Sequence, residues 1–156
     1  KLFLEIENKN KKYLFKNSLL IHGGGWKKLE NISISPETFY KKLDDKLGIS
    51  KIHNYYGMVE QVGSIFLECE EGYFHCSNYS DIIIRDKNLQ VVKFGEKGFI
   101  QIFSLLPFSY PGHNILTEDQ GIIIGEDNCK CSRKGKYFKV LGRVPDADLR
   151  GCSDVY

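Results

Sequence analysis

Four stretches of this sequence combine residue types that can do chemistry. In His22-Gly23-Gly24-Gly25-Trp26, consecutive glycines let backbone N–H groups approach a ligand closely. The same string also fits a tight turn in which Trp26 plugs the core. It is not a Walker loop, because no Gly-Lys-Ser/Thr follows at the required spacing. In Tyr55-Tyr56-Gly57-Met58-Val59-Glu60, an aromatic ring that can stack on a base precedes a carboxylate that can hold magnesium. An ordinary strand end reads the same way. Thr117-Glu118-Asp119-Gln120-Gly121 offers a carboxylate in a turn between strands, where it can accept both hydroxyls of a ribose or be a plain acidic turn. From Leu141-Gly142-Arg143 the chain passes Pro145, alternates Asp146, Asp148 and Arg150, and reaches Gly151-Cys152, the composition of a hinge or linker.

The cysteines form a second group: Cys69, Cys76, Cys129, Cys131 and Cys152. An odd count without a secretory leader argues for a reducing, cytoplasmic setting. Cys129-Lys130-Cys131 is a close thiol pair. With Cys69 and His75 it makes a three-Cys, one-His set, which suits structural zinc. Cys76 is an alternative ligand to His75, and buried free thiols are the alternative to a metal. A zinc site here would close two β-segments together and take no part in catalysis. His22 and His53 read as packed histidines, and His113, in a Pro-Gly turn, as an exposed one.

These residues need elements to position them. Lys1 to Glu7 alternate like a strand. Ser18–Ile21 is a short apolar run entering the glycine loop. Ser35-Pro36-Glu37 supplies an N-cap, a proline for the first helical position and an acidic first turn. Phe39, Leu43 and Leu47 then form one apolar stripe, and Gly48 ends the helix. Lys51–Met58 reads as a strand with its turn at Gly57. Past Gly63 the pattern changes to short β-runs at Ile65–Glu68, Tyr73–Cys76, Asp81–Arg85, Gln90–Phe94, Gly98–Ser104, Gly121–Gly125 and Tyr137–Leu141. The run Phe99–Phe103 is apolar enough for burial on both faces. The expected fold class is α/β in the first third followed by an antiparallel, β-rich, barrel-like portion. The expected divisions are 1–63, 64–141 and a hinge and tail over 142–156.

The 156 residues allow one compact domain. A net charge of +2, from 22 basic and 20 acidic residues, gives no basic field for nucleic acid. No apolar run reaches the roughly 18–20 residues of a membrane span. The chain starts at Lys1 and has a single methionine, Met58, so it reads as a piece of a longer protein.

In this order and spacing, the stretches resemble the second half of the large domain of an adenylate-forming acyl ligase. The nearest subgroup is the phenylacetate–CoA ligase-like and bacterial luciferase acyl-protein synthetase proteins. The resemblance is carried by Gly23–Trp26, Tyr56-Gly57-Met58-Val59-Glu60, Glu68-Cys69 with Gly72 and His75, Thr117-Glu118-Asp119, Gly142-Arg143 with Asp146, and Arg150-Gly151-Cys152-Ser153. It implies an enzyme that uses ATP and magnesium to turn a carboxylic, fatty-type acid into acyl-AMP. Tyr56 and Gly57, with Gly23, Gly24 and Gly25 beside them, would hold the adenine, and Asp119 the ribose. Glu60 would help hold magnesium, Arg143 would assist from the hinge, and Cys152 would accept the acyl group as a thioester. An acyl-reductase or acyl-transferase would be the protein partner. Some phenylacetate–CoA ligase-like proteins carry similar Cys and His residues, which supports zinc. Val59 departs from the motif's hydroxyl residue. The family's phosphate loop and lid lysine would lie before Lys1 and after Tyr156. The rivals are a ligase that ends in a CoA thioester and a non-catalytic domain that keeps only the fold.

Overall fold

The structure, a computed structural model, describes residues 15, 17–24, 34–108 and 111–144. The strand expected over Lys1–Glu7 lies outside them. The described residues fall into two compact units divided between Asn54 and Tyr55, with Gly23 and Gly24 grouped with the second.

The first unit holds β1 (Leu19–Gly23, as far as His22), helix α1 (Pro36–Leu47) and most of β2 (Lys51–Tyr56). Its helix is set by its two ends. The Ser35 hydroxyl accepts the Thr38 N–H at 3.2 Å, and Pro36 occupies the first turn, where its missing N–H costs nothing. Gly48 adopts φ 71°, and its N–H donates to the Asp44 carbonyl at 2.9 Å. Between these caps, Leu43 and Leu47 are buried with Ile49, while Phe15, Leu20, Phe39 and Ile52 pack around them.

In the second unit the end of β2 pairs antiparallel with β3 (Phe66–Leu67), Tyr55 opposite Leu67 and Tyr56 opposite Phe66. A five-stranded sheet follows, built from β4 (Phe74–His75), β5 (Ser80–Arg85), β6 (Lys97–Ser104), β7 (Asn114–Glu126) and β8 (Lys136–Arg143) in the order β4-β8-β7-β6-β5. Its strand pairings are all antiparallel. The expected order, α/β elements first and antiparallel strands after, is the one the chain adopts. Period-two alternation turns Ile82, Ile84, Ile100 and Ile102 to one side, where they meet Phe66, Phe74, Ile123 and Phe138. Burying each such side chain contributes about 1.5–3 kcal/mol. Gln101 is buried on the opposite face of β6, so that strand is enclosed on both sides as its composition suggested.

Two expectations need correction. Gln90–Phe94 forms no strand; a single bridge joins Val91 to Arg85, after a turn in which the Asp86 carboxylate accepts the Asn88 and Gln90 N–H groups. Asp119 stands in no turn. It lies mid-strand, because β7 begins at Asn114 and runs unbroken past Gly121. Asn114–Gln120 are too polar to announce a strand. They are held as one by β6, where Ile102 faces Ile115, and by β8, where Arg143 faces Asp119. Among the described residues no helix is long and apolar enough to cross a membrane.

Candidate functional site

Tyr56 ends β2 with its ring among Phe66, Phe74 and Phe138, at centroid distances of 6.0, 6.2 and 6.3 Å. Its hydroxyl emerges from this apolar surround and donates to Oδ2 of Asp119 at 2.7 Å. Burial first, and the Asp119 carboxylate second, hold the Tyr56 hydroxyl far above the usual tyrosine range. Asp119 is itself oriented by its neighbour: Thr117 Oγ1 donates to the Ile100 carbonyl at 2.8 Å and accepts the Asp119 N–H at 3.1 Å. On the facing strand, Arg143 Nε lies 3.8 Å from Asp119 Oδ1, and Nη1 lies 3.8 Å from Glu118. These are ion pairs longer than hydrogen bonds, so Oδ1 keeps lone pairs for an incoming donor.

The structure therefore brings Tyr56, Asp119 and Arg143 together. Gly57 follows Tyr56 directly, and a side chain there would press on the Ser64 carbonyl, 3.2 Å from the position of a Cβ. Glu60 sits exposed on a short 3-10 helix, Val59–Gln61, and stands apart from the Tyr56–Asp119–Arg143 contacts. Gly23 lies against the Tyr55 ring so closely that a Cβ would fall 2.5 Å from it. Gly24 takes φ +84° with open space around it. Gly25, Trp26, Asp146, Arg150 and Cys152 lie outside the described residues.

A second cluster joins the turn before β4 to the β7–β8 connection. The ligand atoms of Cys69, His75, Cys129 and Cys131 all lie within 4.8 Å of one another. The Cys69 and Cys129 sulfurs are 4.0 Å apart, and the Cys131 sulfur is 3.3 Å from His75 Nε2. A tetrahedral zinc with bonds of about 2.3 Å to sulfur and 2.0 Å to nitrogen needs edges of about 3.5–3.8 Å, between those two separations. The backbone N–H groups of Cys131 and Arg133 act to lower the Cys129 and Cys131 thiols, respectively. Ser132 takes φ 68° to turn the chain there. Burial pushes the Cys129 thiol up to about 11. Burial also acts to raise Cys131, but the donors around it, the Arg133 N–H first, outweigh this and hold it below the ordinary thiol range. Burial and then the Arg133 charge keep His75 below its usual value, as the neutral imidazole a metal needs. Cys76 stands apart. It packs against the large core, where burial and then Asp81 push it up to about 12.

Sequence reasoning missed Gln61. It is 0% exposed, while its neighbours Val59 and Val62 are 69% and 74% exposed. The one signal available was its position directly after Glu60. It also missed Glu118 as a partner of Arg143.

A family model described as "Acyl-protein synthetase, LuxE" matches residues 2–156. No curated protein matches the sequence. Similar solved structures include a long-chain-fatty-acid-CoA ligase from Archaeoglobus fulgidus, with 17% identity, TM-score 0.61, and 92% of this chain and 32% of that one covered. The 2-hydroxyisobutyryl-CoA ligase in an open conformation gives 18% identity and TM-score 0.64, covering 82% of this chain and 28% of that one. The anthranilate CoA ligase AuaEII gives 15% and 0.55, covering 80% and 24%. The chain thus spans about a third or less of the length of these proteins, whose likeness is one of fold.

Proposed function

The chain belongs to the acyl-protein synthetase (LuxE) family, and on that premise we propose that it supplies the nucleotide-facing part of an ATP-dependent acyl-activating ligase. The observation that carries this reading is the Tyr56–Asp119–Arg143 contact set. Asp119 is anchored through Oδ2 and keeps Oδ1 for ribose hydroxyls. Arg143, opposite it at the end of β8, offers a cation beside the same nucleotide. Glu60, exposed on the short helix that follows Tyr56 and Gly57 in the chain, would hold magnesium, which neutralises phosphate charge during transfer. Tyr56, Gly57 and the backbone of Gly23, Gly24 and Gly25 would border the adenine. With its hydroxyl tied to Asp119, Tyr56 contributes its ring edge and anchors the carboxylate.

In the first step, a carboxylate oxygen of the acid attacks the α-phosphorus of ATP. The bond to the pyrophosphate leaving group breaks, giving acyl-AMP and pyrophosphate. In the second step, the Cys152 thiolate attacks the acyl carbonyl and AMP leaves with the bonding pair, giving a thioester. The acid is of fatty type, and an acyl-reductase or acyl-transferase takes the acyl group onward. A second reading, with CoA as the acceptor, is favoured by the CoA ligases among the solved structures of similar fold. The full-length protein should exchange pyrophosphate into ATP only when a carboxylic acid is present. Absence of exchange with any carboxylate would overturn the ligase reading. Cys152→Ser should abolish self-acylation; if acyl-CoA formation persists in that variant, CoA is the acceptor.

Cys69, His75, Cys129 and Cys131 would hold zinc. Four protein ligands leave no open position, so its role would be structural, clamping the turn before β4 to the β7–β8 connection.

A further inference from the structure

The short helix Val59–Gln61 reverses the usual arrangement of polar and apolar residues, since its valine faces out and its glutamine faces in. Gln61 Nε2 donates to the Gly112 carbonyl at 2.7 Å. A carbonyl only accepts, so this bond fixes the amide, with nitrogen toward Gly112 and Oε1 away from it. Oε1 and the nearby Ser64 hydroxyl are buried and have no partner among the described residues. An apolar residue of the same size would avoid that cost, so the glutamine is held by something other than packing. Close by in sequence, Gly63 meets the stretch after β6: the Leu106 side chain lies 3.4 Å from where a Cβ of Gly63 would stand. Gly112 in turn leads into β7, the strand that carries Asp119. His113 next to it accepts the Ser104 N–H at 2.9 Å.

The segment from Tyr56 to Gln61 is therefore tied to the β7 stretch at two points, by the Tyr56 hydroxyl to Asp119 and by the Gln61 amide to Gly112. Glu60 lies between the ties. We propose that Gln61 is a positioning residue that acts through Glu60, fixing the spacing between the magnesium carboxylate and the ribose carboxylate. This rests on the ligase reading above. It predicts that loss of the Gln61–Gly112 bond disturbs metal use and leaves the Asp119 end intact.

The test is Gln61→Met in the full-length protein, which keeps the volume and removes the amide. Pyrophosphate exchange is measured against free magnesium at saturating ATP, alone and in a Glu60→Gln background. The half-saturating magnesium concentration should rise about 10- to 100-fold in Gln61→Met, and the same substitution should add little once Glu60 is changed. An unchanged magnesium requirement would overturn the proposal, as would a full effect in the Glu60→Gln background. If wild-type protein exchanges no pyrophosphate, the ligase reading fails instead, and hydrogen exchange still decides the tie. Gln61→Met should then speed exchange at the Ser64 and Ser104 amides and spare β8. Unaltered exchange at Ser104 would overturn the clamp. Should Gln61→Met not fold, Gln61→Leu, which likewise removes the amide donor, serves in both assays with the same expected outcomes.

Discussion

Tyr56 and Asp119, far apart in sequence, meet through a 2.7 Å hydrogen bond that joins the end of β2 to the middle of β7. The donor is half-buried among phenylalanine rings and the acceptor is a carboxylate, so the bond is charge-assisted and partly shielded. Tyr56→Phe removes it without opening a cavity. The unfolding free energy from urea titration should fall by about 1.5–3 kcal/mol. In the full-length protein, KM for ATP should rise with kcat little changed, because a loosened ribose contact is lost equally from ground and transition states. A variant as stable as wild type would show that the bond contributes nothing.

Alkaline pH probes the same bond. An unfolded tyrosine titrates near about 10, whereas folded Tyr56 is held above that by burial and Asp119. Below about pH 10 both states keep the proton and stability is fully present. Above it the unfolded chain gives up its proton first, so the fold should lose up to about 1.4 kcal/mol per pH unit until the folded group titrates as well. Urea midpoints at rising pH should show this decline in wild type, and a shallower one in Tyr56→Phe.

Purified protein should carry one zinc per chain by inductively coupled plasma analysis. Chelation should lower the melting temperature, and Cys131→Ser or His75→Ala should lose the metal. Cys76→Ser should keep it, because Cys76 packs into the large core and away from the cluster. Zinc-free protein with unchanged stability in a chelator would rule the site out.

Gly98 and Gly121 are partners across β6 and β7. A Cβ at Gly98 would fall 2.1 Å from the Arg85 carbonyl oxygen, which is backbone and fixed. At Gly121 it would fall 2.6 Å from the end of the Ile100 side chain and 2.9 Å from the Lys139 carbonyl. Both alanine variants should be destabilised by about 1–3 kcal/mol, Gly98→Ala more than Gly121→Ala because a side chain can turn aside and a strand cannot. Chemical denaturation of the two variants checks the order.

What could be read from the chain depended on whether a signal was local. Helix α1 was legible from Ser35-Pro36 to Gly48, because caps are chosen by their own backbone. The four residues of the cysteine cluster were legible by type, yet His75 could not be told from Cys76 until strand alternation turned the two to opposite sides. Asp119 was legible as a candidate by type and misread as a turn, because its strand is imposed by flanking strands far away in sequence. Gln61 was hidden for the opposite reason. Hydrophobic pattern expects Val59 and Val62 inside and the glutamine outside, and tertiary contact with Gly112 reverses that.

The strand order β4-β8-β7-β6-β5 sets the first strand of this sheet beside the last. On a ribosome, Phe74 and His75 emerge long before Phe138 and Tyr137, the residues they pair with. Cys69 likewise waits for Cys129. The nascent unit holds an open seam until β8 is out, and it closes as the final strand docks rather than growing hairpin by hairpin. A nonsense mutation or early cleavage upstream of Lys136 would therefore strip the earliest strand of its neighbour as well as removing the last.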